Sequence, residues 1–115
     1  MVGYVIYLVI VCVAALILIA IGVSQVKSKE PVGFYSGVKP PKEEQLIDVE
    51  AWNKKHGIMW ILYGVFMMIA GFAGIFSMTC STIAVLAVAF GGPVIMIWYH
   101  SKLEKLYLLY NSIGH

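Results

Sequence analysis

Three stretches of this chain, residues 2–23, 57–76 and 82–99, contain no Asp, Glu, Lys, Arg or His, and each is almost wholly apolar. No other feature narrows the possible folds so far. At a helical rise of about 1.5 Å per residue, runs of this length match a hydrocarbon core of about 30 Å. In such a core each backbone N–H and C=O must be satisfied within the segment, which an α-helix does unaided. Composition agrees, since 61% of the 115 residues are apolar and 12% charged. A soluble domain of this size would be left with much of that apolar surface in water. The expected fold is a single all-α membrane domain over 1–115 with three transmembrane helices. A polar loop at 26–55 joins the first two, and a tail follows at 100–115.

Charge placement gives the direction. All eight basic residues are lysines; Lys27, Lys29, Lys39, Lys42, Lys54 and Lys55 fall in the loop, Lys102 and Lys105 in the tail. The link between the second and third runs, Ser77-Met78-Thr79-Cys80-Ser81, has no charge. Three spans put loop and tail on one side, so the positive-inside rule predicts an N-out, C-in arrangement with every lysine cytoplasmic. The first run is expected to remain as a span. It is long for a signal sequence, lacks a basic segment ahead of it, and no small-residue cleavage site follows. Tyr4 and Tyr7 at the outer end of the first run suit the interface, as do Trp60, Tyr63, Trp98 and Tyr99 at the inner ends of the others. A net charge of +2 gives no footprint for nucleic acid. Absence of arginine removes bidentate phosphate clamping. Cys12 and Cys80 lie at different depths and make no disulfide framework.

Within the spans, Gly57, Gly64 and Gly71 recur every seven residues along one face of the second helix, with Ala70 and Gly74 close by. Small residues let backbones approach where lipid offers no hydrophobic drive, so this stripe predicts a helix–helix contact, with the first span as the candidate partner. Gly91-Gly92-Pro93 predicts a kink in the third span, because proline lacks an N–H and crowds the preceding turn. The spans hold no intramembrane charge of the kind that proton relays and ion-coupled carriers use.

The loop is the least generic segment. Residues 42–56 read as an amphipathic cytoplasmic helix. Pro41 stands at its start, Glu43 and Glu44 complement the dipole, and Leu46, Val49, Asn53 and His56 share one face. That helix can also run directly into Gly57 and the second span. In the tail, Leu103, Leu106, Tyr107 and Tyr110 repeat the amphipathic pattern, either extending the third helix or lying on the leaflet. Asp48, Trp52 and His56 recur at intervals of four, as do His100 and Glu104; the two His–acid clusters could meet at the inner membrane face around a divalent ion, but neither has the spacing of a specific metal motif. Both histidines read as hydrogen-bonded anchors, and no catalytic, metal or cofactor site is assigned.

Gly33-Phe34-Tyr35-Ser36-Gly37, followed by Glu50-Ala51-Trp52-Asn53-Lys54-Lys55-His56-Gly57 and then Gly64, resembles a pattern of the SdpI/YhfL family of small bacterial membrane proteins. In that family a Gly-Tyr-Arg-Thr-like motif follows the first helix, and a Trp, an Asn and a Gly lead into the next. The resemblance covers roughly residues 31–74, and the motif's arginine is missing here. It implies a non-enzymatic protein of the bacterial plasma membrane, linked to immunity against a peptide toxin or to signalling. Phe34, Tyr35, Trp52 and Asn53 are the expected contacts for a peptide toxin or membrane-protein partner, since aromatic groups dominate binding. The alternative is a subunit of an oligomeric transporter or channel, suggested by the interruption at Gly91-Gly92-Pro93. A homo-oligomer is compatible with either reading.

Overall fold

A computed structural model describes residues 2–33 and 41–107. Helix α1 spans Val2–Lys27, α2 Val49–Phe72 and α3 Met78–Tyr107, with short 3-10 turns at Glu43–Gln45 and Ala73–Ile75. The described residues contain no strand. All three long helices are long and apolar enough to cross a membrane, and the bundle is 55 Å along its major axis. Their outward faces are rich in Val, Ile, Leu and Phe, the surface that lipid solvates and water does not.

The helices outrun the charge-free segments, and at one place the sequence reading needs correction. No separate loop helix starts at Lys42. Instead, the Gln45 side chain accepts the Lys42 N–H at 2.9 Å, and the Ile47 N–H donates to the Tyr107 carbonyl at 2.9 Å. Asp48, extended at φ −149°, then caps α2 by accepting the Ala51 N–H. A short acceptor at this position satisfies one of the amides a helix start leaves open. The helix therefore begins there and continues unbroken into the second span.

Helices α1 and α2 meet through small residues. Gly57 lies against Gly22 and Val26, Gly64 against Ala15 and Ile19, and Gly71 against Val11 and Leu8. A Cβ on Gly64 would sit 2.6 Å from the Ala15 carbonyl oxygen, and one on Gly57 would sit 2.5 Å from that of Gly22. The backbones are thus too close to admit a side chain at these positions, which increases dispersion contact in a solvent where burial of apolar surface gains little. Val11, Ala15 and Met67 form the mid-depth core, with Val85, Val88 and Ala89 of α3 packed against it.

Helix α3 is held differently, by hydroxyl groups on carbonyls. Next to the 77–81 link, buried Ser81 donates to the Ala70 and Gly71 carbonyls at 2.8 and 3.2 Å. Its proton is therefore committed, so Tyr7 Oη is the donor in the 2.8 Å contact to Ser81 Oγ. Tyr4 Oη reaches the Gly71 carbonyl as well. At mid-depth α3 runs through Pro93 as one helix. Proline leaves the carbonyl four residues back without its amide. That carbonyl is Ala89, and Tyr63 Oη donates to it at 3.3 Å. Gly92 makes room for the ring, since a Cβ there would lie 2.6 Å from it.

Gly64→Ala forces the α1–α2 backbones apart and is expected to cost about 1–3 kcal/mol. Gly91→Ala, where nothing lies within 4 Å of the new methyl, is expected to be neutral. Thermal unfolding in detergent compares the two; equal midpoints would remove the close-packing account.

Candidate functional site

The lysine-rich end of the bundle gathers most of the buried polar side chains. Trp52, Asn53 and His56, on the first turns of α2, are 1%, 1% and 0% exposed. Helical spacing aims Trp52 and His56 along one side, toward α3, while Asn53 faces the segment that leaves α1.

That segment, residues 28–33, has no regular secondary structure, yet its polar groups are largely satisfied. Ser28 Oγ folds back to accept the Glu30 N–H and donate to the Glu30 carbonyl. Asn53 Nδ2 donates to the Ser28 and Glu30 carbonyls at 3.0 and 2.8 Å, while its Oδ1 accepts the Val32 N–H at 3.0 Å. Trp52 Nε1 donates to the Val32 carbonyl at 2.8 Å. Gln25 Nε2 adds a contact to the Gly33 carbonyl. Two adjacent side chains on α2 thereby clamp four backbone groups of the chain leaving α1. Each such bond is worth about 1 kcal/mol net, but leaving a buried group unpaired costs roughly 1–3 kcal/mol.

The histidines link α2 to α3. His56 Nδ1 lies 2.9 Å from the Trp52 carbonyl, which can only accept, so His56 carries its proton there. In neutral His56, Nε2 is then an acceptor, and His100 Nδ1, 2.8 Å away, must donate to it. His100 Nε2 faces Glu104 Oε1 at 3.3 Å. Donation therefore runs from His100 through His56 to a backbone carbonyl inside α2, and the Glu104 carboxylate, which can only accept, is bonded by His100 when its Nε2 carries a proton as well. The Trp52 ring lies over His56 with centroids 4.2 Å apart. Leu46 and Leu103 close the cluster against Trp52, with Val32, Val49, Tyr99 and Tyr107 around them.

Of the expected contact residues, Trp52 and Asn53 sit at the centre of this clamp. Their side chains are enclosed, and a partner would meet the segment they hold rather than the groups themselves. Phe34 and Tyr35, which follow directly on the clamped residues, lie outside the described residues, as does Tyr110. Asp48 caps α2 and does not join His56. His56 and His100, assigned to separate pairs from their spacing, are brought together. Among the described residues, no group of three or more His, Cys, Asp or Glu side chains is arranged to hold a metal ion. Ser28 and Val32 were not singled out from sequence, and Leu103 only as part of the amphipathic pattern of the tail. The available signal was the Trp52-Asn53 pair itself, two hydrogen-bonding side chains in succession just ahead of an uncharged run.

Asn53→Ala strips partners from the Val32 N–H and from two carbonyls. Hydrogen exchange at Val32 is expected to speed up about fivefold or more, corresponding to the ~1–3 kcal/mol of an orphaned group. Unchanged exchange would show that the segment is held by something other than the clamp.

Compared with family models, with curated proteins and with solved structures, the chain has no match.

Proposed function

We propose that this chain is a non-enzymatic, multi-pass protein of the bacterial plasma membrane that binds a peptide toxin or a membrane-protein partner, serving immunity or signalling. The observation that supports the reading best is the clamp of Trp52 and Asn53 on residues 28–33. Buried hydrogen-bonding groups are costly in a bundle this small, and here they go into fixing the shape of a loop. Loops on rigid scaffolds are where binding residues concentrate. Phe34 and Tyr35 emerge directly from the clamped stretch and supply the aromatic contacts. In this reading the amino end is outside and the clamp faces the cytoplasm, supported by the confinement of all eight lysines to the loop and tail. The transporter or channel alternative drew on an interrupted third helix. That α3 runs on through Pro93, with the Ala89 carbonyl bonded by Tyr63, supports a structural role for this stretch over a transport one.

Two measurements test the proposal. A membrane-impermeant maleimide applied to intact cells is expected to label Cys80, which is exposed within the 77–81 link. Labelling only after the cells are opened would reverse the orientation. Cross-linking in native membranes followed by affinity capture is expected to recover a partner with the wild type. The Phe34→Ala/Tyr35→Ala variant should lose it by tenfold or more, the size of two hot-spot contacts. A partner retained equally by both would refute the assigned contact residues, and recovery of this chain alone would refute the binding reading.

A further inference from the structure

Away from α1, helices α2 and α3 stand apart and enclose a groove of about 550 Å³ with an almost entirely apolar lining. Its walls are Ile58, Leu62 and Phe66 on α2 and Ile95 and Trp98 on α3, and Gly91 leaves its floor open. Those five side chains are 40–64% exposed, so the groove faces the surrounding solvent, which for these helices is lipid. From Ala87 to Tyr99 it follows α3 for about 18 Å of helical rise. That is close to half of a ~30 Å hydrocarbon core, the depth one leaflet's acyl chain occupies.

The charges at one end of the groove complete the picture. Lys55 precedes Ile58 and Met59 by one turn and so lies on the groove face of α2. Lys102 follows Trp98 and Tyr99 by one turn and lies on the groove face of α3. Both are exposed, and the Lys102 ammonium sits 5.2 Å from the centroid of the Trp98 ring that forms the groove's mouth. Among the described residues, no carboxylate lies within one turn of either lysine on these faces: Glu104 is turned to His100, positions 51, 52, 58, 59, 98 and 99 are uncharged, and Asp48, two turns before Lys55, is taken up in capping α2. Trp98 and Tyr99 are residues that favour the headgroup level, so the two cations stand where a lipid phosphate lies.

We propose that the α2–α3 groove is a binding site for an anionic phospholipid, with one acyl chain along Phe66, Gly91 and Ile95 and the phosphate between Lys55 and Lys102. The site is distinct from the clamp, so its test does not depend on the partner-binding reading. Native mass spectrometry of the detergent-purified protein, equilibrated with equal amounts of phosphatidylglycerol and phosphatidylcholine, reads the preference directly. The wild type should retain phosphatidylglycerol by about fivefold for each lysine engaged. Lys55→Gln/Lys102→Gln should hold both lipids equally. Gly91→Leu, which fills the groove from a position with open space around it, should hold less of either lipid while its unfolding midpoint stays at the wild-type value. Equal retention by the wild type, a preference that survives loss of both lysines, undiminished lipid on Gly91→Leu, or a second copy of the chain seated there in place of lipid would each overturn the proposal.

Discussion

The contact between the α1 and α2 backbones sets the position of everything else in this molecule. Gly22 and Gly57 bring the end of α1 and the early turns of α2 so close that neither position has room for a Cβ. Because Gly57 lies one turn beyond Asn53, the chain leaving α1 at Lys27 emerges within reach of the Asn53 amide and the Trp52 indole. With side chains larger than hydrogen at 22 and 57 the axes would separate, and the residue 28–33 backbone would drift out of hydrogen-bond range. The clamp is therefore a consequence of the glycine contact, one link further along the chain from sequence to site.

Helix α3 depends on a different physics. It meets the α1–α2 pair through polar contacts at three depths: Ser81 with Tyr7 beside the 77–81 link, Tyr63 with the Ala89 carbonyl at mid-depth, and His100 with His56 at the lysine-rich end. Each uses a side chain to satisfy a carbonyl or an imidazole nitrogen that lipid could not. Such contacts fix a helix at points, whereas a small-residue seam closes along its length. Between the points α3 can stand away from α2, and that is where the groove opens. The tight seam and the open groove are two outcomes of where the small residues lie.

The number of long helices, their approximate limits and the face of the glycine stripe could be read from sequence because each rests on a strong local signal. A charge-free run states its own length, and a seven-residue glycine repeat states its own face. The start of α2 was harder. Lys42 to His56 has helical amphipathicity throughout, yet Asp48 stops the helix from extending backward by taking the cap position. A tertiary bond from Ile47 to Tyr107 ties the residue ahead of the cap to α3, and Glu43–Gln45 close only a 3-10 turn. That the His56 and His100 clusters could meet at the inner face was legible, but the direct bond between the two rings was not, since nothing local says which turn of α3 meets which turn of α2. Pro93 shows the same limit: its missing N–H is legible, but the tyrosine that compensates lies on another helix.

The identity of residue 53 follows from its surroundings. The position must donate twice, to the Ser28 and Glu30 carbonyls, and accept once, from Val32, with all three partners on backbone. A carboxylate can only accept, so Asp there would face two carbonyl oxygens with charge and no proton. A hydroxyl has a single donor. Glutamine has the right groups, but its extra methylene would have to be packed into a site that is 1% exposed. Asparagine alone supplies two donors and an acceptor, at that length, without a charge to desolvate at the edge of an apolar bundle. The tryptophan beside it meets the remaining demand, the Val32 carbonyl, while its ring covers His56. What looks in the sequence like an aromatic and an amide at a membrane border is, in the fold, the smallest neutral side-chain pair that can hold an irregular strand of backbone against a helix.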